Sequence, residues 1–191
     1  MAIKGYTAPE VAHAYARARE LCQQVDETPQ LFEILMGLCV FYQERGELRT
    51  AHALAEQLLH LAQRLHDPIR LLWAHNTLGY TLFVMAEVVQ ARSHLEESLA
   101  LYQRYTLHTT GFVFDPGVDD LCILAEILFF LGYPDQALAR NQEALTLARE
   151  LSHPFSPALS TSSLLDELPE RRPMTVILVS GAWRQFCYAT A

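Results

Sequence analysis

The eight histidines are the residues of this sequence best suited to metal binding or proton transfer, and their spacing decides whether they can act together. No two of them are three or four residues apart, so no single helix could present a two-histidine metal site. His75 lies on the apolar side of a predicted helix, where we expect it to be hydrogen-bonded to a neighbouring helix. His66 precedes Asp67 at a predicted helix end. Polar residues are favoured there by the helix dipole, so we interpret His66 as a helix-end residue. The sequence therefore predicts no metal ion and no cofactor.

Paired carboxylates and cysteines are the other groups that could support catalysis. Glu96–Glu97 and Asp119–Asp120 are consecutive residues of predicted helices. Consecutive helical side chains point about 100° apart, so these carboxylates do not converge. The four cysteines lack a CxxC motif, and we expect reduced, buried thiols. Because no phosphate-binding GxxxxGK[ST] loop occurs either, the sequence predicts that the protein is not an enzyme.

Charge and hydropathy narrow the classes of partner. The formal net charge of −8 disfavours a surface that binds nucleic acid. The longest apolar stretch, residues 123–133, contains Glu126 and is too short to span a bilayer. The first residues lack the apolar segment of a signal peptide. Together with reduced cysteines, these features predict a cytoplasmic protein with no nucleic-acid or membrane partner.

The sequence repeats itself at intervals of 40 and 46 residues. Four apolar or small residues of the first copy recur in two later copies: Leu38, Ala51, Leu59 and Leu61 return as Leu78, Ala91, Leu99 and Leu101, then as Leu124, Ala137, Leu145 and Leu147. Self-similarity at such periods is typical of stacked repeat arrays, which usually present a surface to another protein.

Helix-capping signals divide each repeat into two helices. Asp67 and Asp115 each place a capping oxygen before a proline, and Gly46 and Gly132 suit the left-handed turn that ends a helix. These signals and the apolar spacing predict helices at 8–25, 29–45, 48–66, 68–86, 88–104, 117–131 and 134–151. No segment before residue 170 shows the alternation of a strand.

The repeats resemble the tetratricopeptide repeat (TPR) family. The family's Leu-Gly pair of the first helix, helix A, stands intact as Leu78-Gly79, and its large helix-A residue falls on Tyr42, Leu82 and Leu128. The resemblance implies an all-α fold in which antiparallel hairpins stack as a right-handed TPR-like α-solenoid. Residues 131–155 also resemble the C-terminal repeat region of large bacterial signalling ATPases and nucleotide-cyclase-type regulators.

We expect two parts in the chain. Residues 1–154 form the TPR-like repeat domain, with about three hairpins preceded by one helix. Residues 155–191 form an irregular tail, which is either a frameshifted or truncated repeat or a short linker with a strand-like end. If the array is cut, the hairpin that ends at Leu151 lacks a polar cap, and self-association through this uncapped C-terminal repeat is expected.

The resemblance also implies a binding surface, because the A helices of the family line its concave face. Carried over by register, the candidate contacts are Glu33, Met36, Gln43, Trp73, Asn76, Tyr80, Phe83 and Glu126. The same register includes Val40, Asp119, Cys122 and Phe129. The alternative is that these side chains pack against neighbouring helices.

Two functions remain open on these residues. The first is a helical-repeat scaffold for protein–protein interaction, as a regulatory module or fragment of a larger bacterial signalling protein. Its aromatic and acidic groove would suit a protein or peptide with apolar anchors and basic residues. The alternative is a small-molecule-sensing repeat domain with a pocket between the A helices, which Trp73, Tyr80 and Phe83 would line.

Overall fold

A computed structural model describes residues 29–105 and 115–151, together with the single helical position Arg17. The two described ranges contain α1 (Pro29–Glu44), α2 (Leu48–Leu65), α3 (Pro68–Val84), α4 (Val88–Tyr105), α5 (Pro116–Phe130) and α6 (Pro134–Leu151), and no strand. Both ends of each of these helices lie within two residues of the predicted positions. The predicted helix at 8–25 and the tail at 155–191 lie outside the described ranges. No described helix is both long and apolar enough to cross a bilayer.

The three hairpin turns have the same hydrogen-bonded geometry and lie at the same position of each repeat. The backbone N–H groups of Glu47, Glu87 and Tyr133 each donate at 2.9 Å to the carbonyl of the residue five positions earlier. The residue just before each of these donors has a left-handed backbone conformation, with φ of +72° at Gly46, +65° at Ala86 and +85° at Gly132. This is the Schellman motif. The turn therefore recurs in all three copies, even though the middle copy has alanine in place of glycine.

Aspartate caps begin two of the A helices, as predicted. The Asp67 carboxylate accepts hydrogen bonds from the backbone N–H groups of Ile69 and Arg70. The Asp115 carboxylate accepts the equivalent bonds at Gly117 and Val118. Each cap satisfies amide groups that have no partner within the helix, and the proline that follows has no N–H to satisfy.

The contacts divide the described residues between two compact units, with the boundary inside α4 between His94 and Leu95. In the first unit, α2 packs against α1 and α3, and α1 also contacts α3. Its core is built from fully buried leucines and one phenylalanine: Phe32, Leu38, Leu54, Leu58, Leu61 and Leu72. Ala51, which recurs in every copy, is fully buried, and its carbonyl accepts the Cys39 thiol at 3.3 Å. A small residue here allows α1 and α2 to approach closely.

In the second unit, α5 packs against α6. Small residues again form the buried face of α6, at Ala137, Ala144 and Ala148. The start of α5 is held by Tyr102, whose hydroxyl donates to the Asp115 carboxylate at 3.1 Å. The Tyr102 ring also covers Gly117, where an added Cβ would lie only 2.6 Å from the ring carbon Cε1. Glycine at 117 is therefore required by packing.

Candidate binding surface

Five of the predicted contact residues lie on α1 and α3 at least partly exposed to solvent. The Glu33 side chain is 53% exposed, and the other four are half-buried. We call these five residues the α1–α3 surface: Glu33, Met36, Gln43, Tyr80 and Phe83. Glu126 is also half-buried but belongs to the second unit. Their role in binding stays a prediction.

Trp73 and Asn76 do not have the exposure expected of a groove. Trp73 is 4% exposed and Asn76 is 2% exposed. The physical reason is the central position of α3, which contacts α1 and α2 and is bonded to α4 through His75. Most of its circumference is therefore buried. Trp73 and Asn76 are therefore buried by packing against neighbouring helices, which is the alternative that the sequence left open. Asp119 and Cys122 on α5 are buried as well.

Polar contacts tie α1 to α3 toward the C-terminal end of both helices. The Gln43 side-chain amide donates to the Thr81 hydroxyl at 2.7 Å. That hydroxyl in turn donates to the backbone carbonyl of Thr77, also at 2.7 Å. Gln43, a predicted ligand contact, is thus already used in an inter-helix hydrogen bond. We infer that it positions the two helices as well as lining the surface.

A charged contact ties the same helices near their N-terminal ends. The Arg70 guanidinium lies 3.7 Å from the Glu33 carboxylate and pairs with the Asp67 carboxylate through its other terminal nitrogen. It also stacks over the Phe32 ring, 5.8 Å from the ring centroid. Because Glu33 meets Arg70 and Gln43 meets Thr81, α1 and α3 run parallel. Met36 lies between the two contacts on the same stripe of α1.

Two buried titratable groups, Cys39 on α1 and Tyr102 in the second unit, are held in their neutral forms. Burial raises the pKa of the Cys39 thiol to about 12, and a hydrogen bond with Thr81 offsets only part of that rise. The thiol is therefore protonated at neutral pH and unreactive. Burial also raises the pKa of Tyr102, and the adjacent Asp115 carboxylate adds to the effect. Both groups are structural in their neutral forms.

His75 makes the inter-helix hydrogen bond that the sequence predicts, and its partner is His94 of α4. The two Nδ1 atoms are 3.0 Å apart, with ring centroids 5.2 Å apart and ring planes inclined by 36°. Sequence reasoning missed His94 because it searched for histidines on one helix. The predicted hairpin could have indicated this pair, because its two helices run antiparallel from the turn at Ala86. His75 precedes Ala86 by eleven positions and His94 follows it by eight. Among the described residues, no three His, Cys, Asp or Glu side chains form a metal-binding group.

A surface hollow of about 470 Å³ lies along α6. Its lining comes from one exposed face of that helix: Ala139, Gln142, Glu143, Thr146, Leu147 and Glu150. None of the predicted contact residues lines it. The hollow therefore gives no support to a pocket between the A helices.

Comparison with known proteins identifies the fold. BtubC (BKLC) from P. vanneervenii superposes with a TM-score of 0.68 at 17% identity, over 93% of this chain and 69% of that one. A P. anserina chain named for kinesin light chain, with nearly identical TPR-like repeats, superposes with a TM-score of 0.56 at 17% identity, over 89% and 87%. No family model and no curated protein matches the sequence. The chain thus has an all-α, TPR-like helical-repeat fold, as its sequence predicts.

Proposed function

We propose that this chain is a helical-repeat module that binds a protein or peptide through the α1–α3 surface. The observation that carries the proposal is the parallel pairing of α1 and α3, which are joined by Arg70–Glu33 near one end and Gln43–Thr81 near the other. These contacts hold half-exposed apolar side chains at fixed positions. Preorganisation of this kind lowers the entropy cost of binding.

The chemistry of the surface favours a ligand with apolar anchors and a basic residue. Met36, Tyr80 and Phe83 supply large, partly exposed apolar groups, and aromatic residues are enriched among binding hot spots. Glu33 supplies a carboxylate that Arg70 contacts only at 3.7 Å. The net charge of −8 would attract a basic segment during encounter.

The predicted contact residues divide into two roles in this proposal. Glu33, Met36, Tyr80 and Phe83 touch the ligand. Gln43 lines the surface and holds α1 against α3, and the buried Trp73 and Asn76 hold α3 in place beneath it. Glu126 would offer a separate acidic contact in the second unit. The same TPR-like fold in the two structural neighbours supports a repeat scaffold in general and does not identify a ligand.

The biological setting is proposed from the sequence resemblance alone. Because residues 131–155 resemble the repeat region of bacterial signalling ATPases and cyclase-type regulators, we infer a regulatory, non-enzymatic module or fragment of such a protein in the cytoplasm. Self-association through the C-terminal repeat belongs to the same proposal. Sedimentation at high concentration tests it, and a strictly monomeric species would contradict it.

Site-specific photo-crosslinking tests the binding surface directly. A photoreactive phenylalanine analogue replaces Met36 on the surface or, as a matched control, the exposed Gln57 on α2. We expect the Met36 position to capture a discrete protein in cells of the native organism and the Gln57 position to capture none. The identified partner is then titrated against Phe83→Ala and Glu33→Gln.

The titration has outcomes that separate the proposal from its alternatives. We expect at least a tenfold loss of affinity for Phe83→Ala with little change in melting temperature, and no loss of affinity for the control Gln57→Ala. Equal affinity of Phe83→Ala, Glu33→Gln and Gln57→Ala for the partner would refute the assigned surface. A rise in melting temperature caused by a small metabolite, without any protein partner, would instead support the small-molecule-sensing alternative.

A further inference from the structure

The facing imidazoles of His75 and His94 have a geometry that the binding function above does not use. The two rings come from α3 and α4, both are half-buried, and their Nδ1 atoms are 3.0 Å apart. We propose that this pair is a two-histidine binding site for a divalent transition-metal ion such as Ni²⁺ or Cu²⁺. Imidazole nitrogen suits these ions.

The separation of the two nitrogens is close to the spacing of two neighbouring ligands on one metal ion. With metal–nitrogen bonds of about 2.0–2.1 Å, two nitrogens 3.0 Å apart subtend about 95° at the metal. Adjacent ligands of a square-planar or tetragonal ion subtend roughly 90°, whereas tetrahedral ligands subtend about 109°. The observed spacing is therefore close to that of neighbouring ligands in either geometry, and turning of the two rings supplies the remaining adjustment.

The protons of the pair also permit metal binding without a change in net protein charge. In the hydrogen bond, one ring carries a proton on Nδ1 and the other presents a lone pair there. Binding at both Nδ1 atoms requires the first ring to move its proton to its own Nε2, and no proton needs to be lost. Reorientation of the rings about their side-chain torsions then directs both lone pairs at the metal.

Water completes the coordination in this proposal. No third His, Cys, Asp or Glu side chain joins the pair within the described part of the chain. Since both imidazoles are half-buried and not sealed from solvent, water molecules can fill the remaining positions. A metal held by one ligand from each helix would clamp α3 to α4 and stabilise the folded state by an amount that rises with the free metal concentration.

Titration of the full, untagged chain with NiCl₂ after chelator treatment tests the site. Calorimetry and thermal melting are recorded for the wild type, His75→Gln and His94→Gln. His52→Gln and His60→Gln are the matched controls, because both remove an imidazole of α2. His52 is a necessary control because its imidazole lies 3.8 Å from the Glu56 carboxylate, and these two side chains could bind metal together.

The expected result is one Ni²⁺ bound per chain and a melting temperature that rises with NiCl₂ but not with MgCl₂. Both His75→Gln and His94→Gln should weaken binding at least tenfold and abolish the rise, while the two controls retain both. Unchanged binding in His75→Gln or His94→Gln, or binding that a control substitution abolishes, would overturn the proposal.

A second measurement keeps the proposal testable if either glutamine variant fails to fold, as judged by circular dichroism. Electron paramagnetic resonance of the wild type with one equivalent of Cu²⁺ should show coupling to two imidazole nitrogens. A spectrum with one imidazole nitrogen, or with none, would refute the two-histidine site. The test does not depend on any protein partner, so its failure would leave the α1–α3 surface unaffected.

Discussion

Replacing Ala86 with glycine should stabilise this protein, although it removes a methyl group and adds no contact. Ala86 occupies the left-handed position of the α3–α4 turn with φ +65°, where the other two turns have Gly46 and Gly132. The backbone bonds of the turn are the same in all three copies, including the 2.9 Å bond from the Glu87 N–H to the Leu82 carbonyl. The substitution therefore changes the residue's conformational preference without changing the motif.

The size of the effect follows from two opposing contributions. A non-glycine residue in the left-handed region costs about 1–2 kcal/mol, which glycine avoids. Glycine has more conformational freedom in the unfolded chain, which costs about 0.4–1 kcal/mol on folding. The net expectation for Ala86→Gly is a stabilisation of about 0.5–1 kcal/mol, or roughly 1–4 °C in melting temperature for a chain of this size.

Gly46→Ala provides the reciprocal test in the same unit. A Cβ at Gly46 would have no heavy atom within 4 Å, so steric contact does not complicate its backbone strain of φ +72°. Gly132→Ala repeats the test in the second unit, where the space is equally open. Urea unfolding followed by circular dichroism at 222 nm measures all three variants. If Ala86→Gly destabilises, or if Gly46→Ala stabilises, the left-handed strain is not the controlling factor.

Three further predictions follow from packing and burial. Gly117→Ala should destabilise by about 1–3 kcal/mol, because its Cβ would meet the Tyr102 ring at 2.6 Å; urea unfolding measures this, and an unchanged midpoint would show that the ring moves freely. Ala91→Trp should destabilise by a similar amount or more, because Ala91 is fully buried. Gln90→Trp, at the exposed neighbouring position, should not destabilise. Equal melting temperatures of these two variants would show that the helix register is wrong. Cys39 has a folded pKa of about 12 against an ordinary value of 9.0, so its contribution to stability is present below pH 9 and is lost as the pH rises toward 12; unfolding free energies from pH 8 to 11 should fall more for the wild type than for Cys39→Ala, and parallel curves would contradict this.

Within the described residues, the sequence by itself determined the helices and turns, because these depend on interactions between residues close together in the chain. Asp67 and Asp115 cap their helices through amides two and three residues away. Gly46 and Gly132 end theirs through bonds that span five residues. Ala86 lies 40 residues after Gly46 and 46 residues before Gly132, so the repeat spacing places the middle turn as well. Ala51, Ala91 and Ala137 recur at one position of the repeat, where a small residue favours close packing of two helices.

Only the tertiary structure decided which faces of the A helices remain exposed and which distant side chains meet. Trp73 and Tyr80 are both predicted contacts on α3, yet Trp73 is buried and Tyr80 is half-exposed. Periodicity gives the direction of a side chain around its own helix but not the positions of the helices that cover it. The His75–His94 contact depends in the same way on how two antiparallel helices align across a turn, and an error of one residue in that alignment turns a side chain about 100° away from its partner.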